Sequence, residues 1–308
     1  MISICIPIYN YYAYPLVRRL ANQITQQNAV ADVEIVCIDD HSSGYYLNQN
    51  MGICDIATYL RLEKNIGRAR IRNLFLKYAK GDWLLFLDND AQVGDSYVKT
   101  ILKHQNIKAD VVCGGTSYDP RLDDTLYHLR YLYGTKAEVT DIDQRTQAPY
   151  RTLLVNNMMV RRNVMERFKF DPRITTYGYE DTLFAYRLET NNIPILHIDN
   201  PIFHATLETN AEYLHKTIEA SETLADIYNF MWEDQRFCHY IPLLETYSKL
   251  RRWKQVGLVY RIFKLFKSPM ESHFVSGTAI SLKQFEFYKL GIFIRKLHYD
   301  KSTDTHNE

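Results

Sequence analysis

Apolar positions along the chain fall into short runs that alternate with stretches of helical spacing. Ile2 to Ile8 is an apolar run interrupted by Pro7 and followed by Tyr9 and Asn10. A run this short, bounded by turn residues, reads as a buried strand. Leu16 to Gln27 has helical spacing. Val33 to Ile38 reads as a second strand, ending in Asp39 and Asp40, and Ile66 to Ala79 as a helix whose apolar residues sit among basic ones. Trp83 to Leu87 is a third strand that runs into Asp88 and Asp90. Tyr97 to His104 is helical, and Val111 to Cys113 is a short strand before Gly114-Gly115. Strands alternating with helices predict an α/β domain with a largely parallel sheet.

Tyr118 to Tyr150 breaks that rhythm and is polar and charged. A long interruption inside a compact domain is usually functional or mobile. The pattern then resumes with a strand at Thr152 to Val160, a helix at Glu180 to Glu189, a strand at Ile193 to Ile198 and a long helix at Ala211 to Met231. From Phe237 onward the chain is helical and basic, and after Lys301 it reads as a polar tail.

The 308 residues, 46% of them hydrophobic, suffice for one substantial domain and an extension. Residues 1–232 are expected to form the main domain, in halves of about 1–117 and 118–232, with 233–308 a helical basic extension. Charges nearly cancel, at 37 basic against 36 acidic residues, which removes any global electrostatic case for nucleic acid. No stretch reaches the roughly 18 apolar residues of a membrane span, and no signal peptide is expected. The five cysteines, odd in number and without a Cys-x-x-Cys, indicate neither a disulfide framework nor a zinc site, so a reducing, cytoplasmic setting is expected.

Three strands end in residues with chemistry to offer: Tyr9-Asn10, Asp39-Asp40 and Asp88-x-Asp90. Ligands of open α/β sheets sit beyond the carboxyl ends of the strands, so these three ends should face one crevice. In extended backbone Asp88 and Asp90 point the same way. Either a divalent cation compensates their repulsion, with Mg²⁺ or Mn²⁺ suiting hard oxygen ligands, or one of them caps the following turn. Asp39-Asp40 offers the same two readings, a nucleoside contact or a turn cap. Arg68 and Arg72 share a helix face and could meet phosphate or the strand-end aspartates, or simply solvent. Glu180-Asp181 opens a helix, where the dipole stabilises acids and would tend to keep Asp181 ionised. His204 is a candidate metal ligand or a structural histidine.

Taken together, Ser3-Ile-Cys-Ile-Pro-Ile-Tyr-Asn10, Glu34-Ile-Val-Cys-Ile-Asp-Asp-His-Ser42, Asn65-x-Gly67 leading to Arg72-Asn73, Gly81-Asp-Trp-Leu-Leu-Phe-Leu-Asp-Asn-Asp90, and Gly178-Tyr-Glu-Asp181 with Arg187 resemble the family-two glycosyltransferases. The resemblance covers residues 2 to about 205. It implies a GT-A-like nucleotide-binding fold with a mostly parallel central sheet, and transfer of a sugar from a nucleotide sugar, usually a UDP-sugar, with inversion. It implies that Pro7, Tyr9 and Asp40 frame the nucleotide base, that Arg68 lies by the nucleotide, and that Asp88 approaches the ribose. Asp90 and His204 would hold Mn²⁺ or Mg²⁺, and Asp181 would be the general base. The Gln-x-x-Arg-Trp signature of processive synthases is absent, which favours single-sugar transfer. A glycan or lipid-linked acceptor in surface-polysaccharide synthesis is what the family suggests. A sugar nucleotidyltransferase and a non-catalytic nucleotide-sugar binding protein are the rival classes. The first would normally carry a Gly-rich basic loop where this chain has Tyr9-Asn-Tyr-Tyr12; the second need not keep both Asp90 and Asp181.

Leu250 to Lys267 carries six basic residues and no acid. Trp253, Val256, Tyr260 and Phe263 recur at helical spacing. This predicts either peripheral contact with an anionic membrane, at its inner face, or a helix packing its apolar side on the catalytic domain.

Overall fold

The structure, a computed structural model, describes residues 1–204 and 206–300, so the polar tail expected after Lys301 lies outside the described residues. The chain forms two compact units. The first comprises residues 1–122, 134–175 and 180–207, and the second residues 123–133, 176–179 and 208 onward.

In chain order the strands and helices are β1 (Ile2–Ile8), α1 (Tyr14–Gln26), β2 (Val33–Asp39), α2 (Gly44–Asn50), β3 (Thr58–Arg61), α3 (Arg68–Tyr78), β4 (Trp83–Leu87), β5 (Ala91–Val93), α4 (Tyr97–Lys103), β6 (Val111–Cys113) and β7 (Thr116–Ser117). They continue with α5 (His128–Tyr133), α6 (Ile142–Gln147), β8 (Asn157–Arg161), α7 (Arg162–Phe168), α8 (Glu180–Thr190), β9 (Ile195–His197), β10 (Ile202–His204), α9 (Asn210–Met231), α10 (Gln235–Tyr240), α11 (Pro242–Arg252), α12 (Val256–Ser276) and α13 (Leu282–His298).

The first unit is built on a seven-stranded sheet of order β3-β2-β1-β4-β8-β6-β9. Only β8 runs against its neighbours, β4 and β6; the other pairings are parallel. Helices on both faces explain why β1, β2 and β4 are nearly continuous apolar runs rather than alternating ones. Leu16, Val17, Leu20 and Ile24 of α1 and Val98 and Ile101 of α4 cover one face. Ala69, Ile71 and Phe75 of α3, with Val164 and Met165 of α7 and Phe184 and Leu188 of α8, cover the other. The strand order turns round between β1 and β4, the place where a crevice opens beyond the strand ends. A second sheet of three short strands, β5-β10-β7, follows directly from the end of β4.

Within the polar stretch from Tyr118 to Tyr150 the chain forms α5 and α6, with further 3-10 and π turns. The strands β3, β5 and β7 were not anticipated, and β10 only as a strand end at His204. They span two to four residues each, too few for alternation to register.

The second unit is helical. Leu129 of α5, Tyr213 and Leu214 of α9, Phe263 and Phe274 of α12, and Phe285, Tyr288 and Ile292 of α13 make its core. Thr209 and Glu212 close a capping box at the start of α9. Helix α9 also grips residues 176–179: Glu219 accepts from the Tyr177 amide at 3.1 Å, and the Thr223 hydroxyl donates to the Tyr177 carbonyl at 2.9 Å. Gly178, at φ +107°, lies where a Cβ would come within 2.6 Å of Ala220 Cβ, so only glycine fits there. Residues 250–267 are not one helix. Lys254, at φ 56°, breaks the path between α11 and α12.

Candidate active site

The site lies in the first unit, at the carboxyl ends of β1, β2 and β4. Pro7 is half-buried in β1, and Tyr9 is exposed just past its end. Asn10 adopts φ 46°, a left-handed conformation Asn tolerates. From there it clasps the exit of β2: its amide donates to Ser42 Oγ at 2.9 Å, and its Oδ1 accepts from the Ser43 amide at 2.8 Å.

Asp39 and Asp40 both organise backbone. Asp39 accepts from the Ser42 amide at 2.6 Å and from the Tyr59 hydroxyl at 2.7 Å. Asp40 takes the Ile66 amide at 2.7 Å on one oxygen and the Gly67 amide at 3.0 Å on the other. Burial nevertheless pushes the Asp40 carboxyl above its ordinary range. From its sequence alone this pair could be a nucleoside contact or a turn cap. Asp40 does more than cap its own turn: it ties β2 to the loop that opens α3, the helix that carries Arg68 and Arg72.

Arg72 is buried and joins two acids that are distant in sequence. It donates to Glu180 at 2.9 Å and to Asp88 at 3.3 Å, and its guanidinium lies 5.5 Å from the centre of the Phe170 ring. Burial pushes the Asp88 carboxyl upward, but Arg72, then Arg68 and His204, hold it below the usual carboxylate range. Asp88 is therefore a firmly ionised carboxylate. Glu180, the acid next to Asp181, is buried in this ion pair.

Asp90 meets His204 through the second sheet. The antiparallel pairing of β10 with β5 sets His204 opposite Ala91, the residue after Asp90. His204 Nδ1 lies 3.6 Å from Asp90 Oδ2. The ring stacks on Tyr118 with centroids 4.9 Å apart, and the Tyr118 hydroxyl donates to Glu138 at 2.6 Å. Asn157 fixes this sheet by donating to the Gly115 carbonyl at 2.7 Å and the Asn200 carbonyl at 2.9 Å. Tyr11, which burial raises above the usual phenol range, bonds Thr206 and feels the charge of Asp90. Tyr118 and Glu138 fall in the polar stretch already singled out and Asn157 in an expected strand, but nothing marked these residues or Tyr11 individually, because the second sheet they meet is built of strands too short to recognise.

His204 Nε2 is buried with no hydrogen-bond partner among the described residues. An orphaned buried nitrogen costs roughly 1–3 kcal/mol unless something occupies it. The Asp90 carboxylate suits Mn²⁺ or Mg²⁺, and an imidazole beside it suits Mn²⁺ better; the His204 nitrogen that faces Asp90 is Nδ1, so the orphaned Nε2 does not by itself mark that position. Among the described residues no three His, Cys, Asp or Glu side chains gather for a metal. Two protein donors would leave the remaining positions to a diphosphate.

Asp181 follows Glu180 at the start of α8 and accepts the Thr182 amide at 2.7 Å. Its carboxyl is raised to about 6, first by burial and then by the charge of Glu180, against the pull of Arg72 and Arg68. The helix dipole was expected to favour the ionised form of this group. Burial and the neighbouring acid outweigh it. The structure thus separates two carboxylates: Asp88 is held ionised, and Asp181 is poised near neutrality.

A family model described as "Glycosyl transferase family 2" matches residues 3–168. Over 90 residues the chain is 38% identical to an uncharacterized glycosyltransferase of Haemophilus influenzae; the match covers 29% of this chain and 29% of that protein. The mannosyltransferase PcManGT from Pyrobaculum calidifontis, solved in complex with GDP-Man and Mn²⁺, has a similar fold, with a TM-score of 0.56 at 13% identity over 97% of this chain and 88% of that one. TarS 1–349 of S. aureus, solved in complex with UDP-GlcNAc, gives 0.50 at 19% identity over 97% and 93%. At such identities the likeness speaks to the fold, and the GT-A-like α/β architecture expected from the sequence is the one found.

Proposed function

Since the chain belongs to glycosyl transferase family 2, we propose that it moves one sugar from a UDP-sugar to an acceptor hydroxyl, with inversion, using Mn²⁺ or Mg²⁺. In this reading residues 1–232 are the catalytic domain, with the donor half at about 1–117. The acceptor is a glycan or a lipid-linked sugar of surface-polysaccharide or glycolipid synthesis. The enzyme works in the cytoplasm at the inner face of the membrane; no described helix is long and apolar enough to cross one.

One observation carries the proposal: Arg72 ties Asp88, at the end of β4, to Glu180, so that Asp181 begins its helix beside the donor carboxylates. Pro7 and Tyr9 border the base, and Asp40 holds the loop that brings Arg68 to the nucleotide. Asp88, held ionised, accepts from the ribose hydroxyls. Asp90 and His204 would hold the metal, which when bound neutralises charge growing on the leaving diphosphate. Asp181 takes the proton of the acceptor hydroxyl as that oxygen bonds to the anomeric carbon and the carbon–oxygen bond to the diphosphate breaks. The rival classes part on products: a glycosyltransferase releases UDP, a nucleotidyltransferase pyrophosphate, and a binding protein neither.

UDP is expected to raise the melting temperature of the protein mainly when Mn²⁺ or Mg²⁺ is present. Ligand at about 100 times its dissociation constant adds roughly 2.7 kcal/mol. Asp90→Ala should remove the metal-dependent part and leave the fold intact, since the Asp90 carboxylate is partly exposed. Equal stabilisation by UDP in EDTA would mean that the donor binds without a metal.

A further inference from the structure

We propose that the outer face of α12 docks on an anionic lipid surface. The helix has two apolar faces. One is spent on the core, where Phe263 and Phe274 are buried against Phe285, Tyr288 and Ile292. The other stands in solvent: Leu265 is 75% exposed, Leu258 57%, Phe266 56% and Ile262 41%. These four residues recur at i, i+4, i+7 and i+8, which places them in a single stripe. Trp253, 64% exposed, lies three residues before the helix begins. Large aliphatic and aromatic side chains massed on one solvent face mark an interaction surface rather than the scattered exposure of ordinary residues. The sequence left this stretch either to a membrane or to packing on the protein, and the helix divides the two: Phe263 turns inward, while Ile262 and Phe266 stand outside with Leu258 and Leu265.

Charge selects the occupant. Arg251, Arg252 and Lys254 precede the stripe and are exposed, and Arg261 and Lys264 are exposed within its length. Residues 250–267 contain no acid. Among the described residues, Lys267 alone of the six basic residues forms an ion pair, with Glu271 at 2.8 Å. The apolar stripe is carried on one helix and flanked by cations, the arrangement of helices that lie in the headgroup layer with their apolar side about 5–10 Å deep. The stripe ends near Ser268-Pro269, so it covers only the first half of α12. That suits reversible attachment through one short contact. The inference stands on this surface and not on the transfer chemistry, although a lipid-linked acceptor would give it a use.

The test is flotation of the full chain with vesicles of phosphatidylcholine alone and with about one-third phosphatidylglycerol. Binding is expected to the anionic vesicles at low salt, and to fall as salt screens the headgroups. The paired change Arg261→Glu and Lys264→Glu removes two contacts worth about fivefold each, so binding should drop by at least about twenty-fivefold. Leu265→Ser with Phe266→Ser should cost at least a further tenfold. All four positions are exposed, so both variants should melt within a few degrees of the parent and keep the shift given by UDP. Three outcomes overturn the proposal: no flotation at low salt, equal binding to neutral vesicles, or a concentration-dependent dimer that Leu265→Ser dissolves while lipid binding is nil. The last would give the stripe to a second copy of the chain. None of the three bears on release of UDP, which tests the transfer reading by itself.

Discussion

Asp181→Asn is expected to lower turnover by at least about a hundredfold, because positioned proton transfer contributes typically 10² to 10⁴ in rate. Binding of UDP with Mn²⁺ should stay near normal, since Asp181 is assigned to the acceptor side. Glu180→Gln should be milder. The carboxyl of Asp181 is raised to about 6, so the rate of the parent should climb with pH through about 6 and level off above it. The same shift has a consequence for stability. In the folded protein Asp181 binds its proton more tightly than in the unfolded chain, where its ordinary value is near 3.9. Between these two values the folded state holds more protons, so the contribution of this group to stability falls as pH rises from about 4 to about 6. At neutral pH the ionised, partly buried carboxylate is a net cost. Asn removes the charge and keeps an oxygen for the Thr182 amide, so the variant should melt at or above the parent at pH 7.5, by up to about 2 kcal/mol of stability. The advantage should vanish near pH 4. Loss of activity together with unchanged or greater stability is the signature of a group retained for chemistry. Near-normal turnover, or UDP binding lost as badly as turnover, would sink the assignment.

The fold was legible where side chains are buried on both faces. The bounds of β1 and β4 fall where the apolar runs of Ile2–Ile8 and Trp83–Leu87 begin and end, because a covered strand has no polar positions to blur its ends. The strand-end acids were legible for the same reason: an Asp directly after such a run has to leave the sheet at its carboxyl edge. The direction of β8 was not. Nothing in Asn157–Arg161 distinguishes an antiparallel strand from a parallel one, and its pairing with β4 is set by contacts some 70 residues apart. The surroundings of Asp90 were half legible. Asp90 and His204 could each be singled out as ligand types, but their approach depends on β5 and β10, three residues each. The upward shift of the Asp181 carboxyl was not legible, for a physical reason. A helix dipole can be read from position, whereas burial and the proximity of Glu180 need the packed structure. The basic stretch 250–267 was recognised for its composition but its facing was left open, because a helix with two apolar faces has no single direction that spacing can reveal.

Arg72→Ala should be the most damaging single change to the stability of the first unit. The arginine is buried between Asp88 and Glu180, and Glu180 is itself buried. Removing one partner of a buried ion pair strands the other charges and costs about 3–5 kcal/mol. In a chain this size that corresponds to a fall in melting temperature of roughly 6 to 20 °C. The pH dependence separates loss of charge from loss of packing. Arg72 holds the Asp88 carboxyl below its ordinary range, so that part of the stability is present above the unfolded value of about 3.9 and disappears as pH falls through the lower folded value. The deficit of Arg72→Ala should therefore be largest near pH 7.5 and shrink toward pH 4, where the stranded acids take up protons. A cavity alone would give a deficit that does not change with pH. The neighbour can be neutralised directly. Arg72→Met combined with Glu180→Gln removes one stranded charge and keeps most of the volume, so the double variant should recover at least about 1 kcal/mol over Arg72→Met. Because Glu180 also raises the Asp181 carboxyl, Glu180→Gln should move the rise of the rate profile to lower pH. A melting temperature for Arg72→Ala within about 2 °C of the parent, equal at pH 7.5 and pH 5, would show that the two acids do not need this arginine, and the tie between the end of β4 and the start of α8 would have to be sought elsewhere.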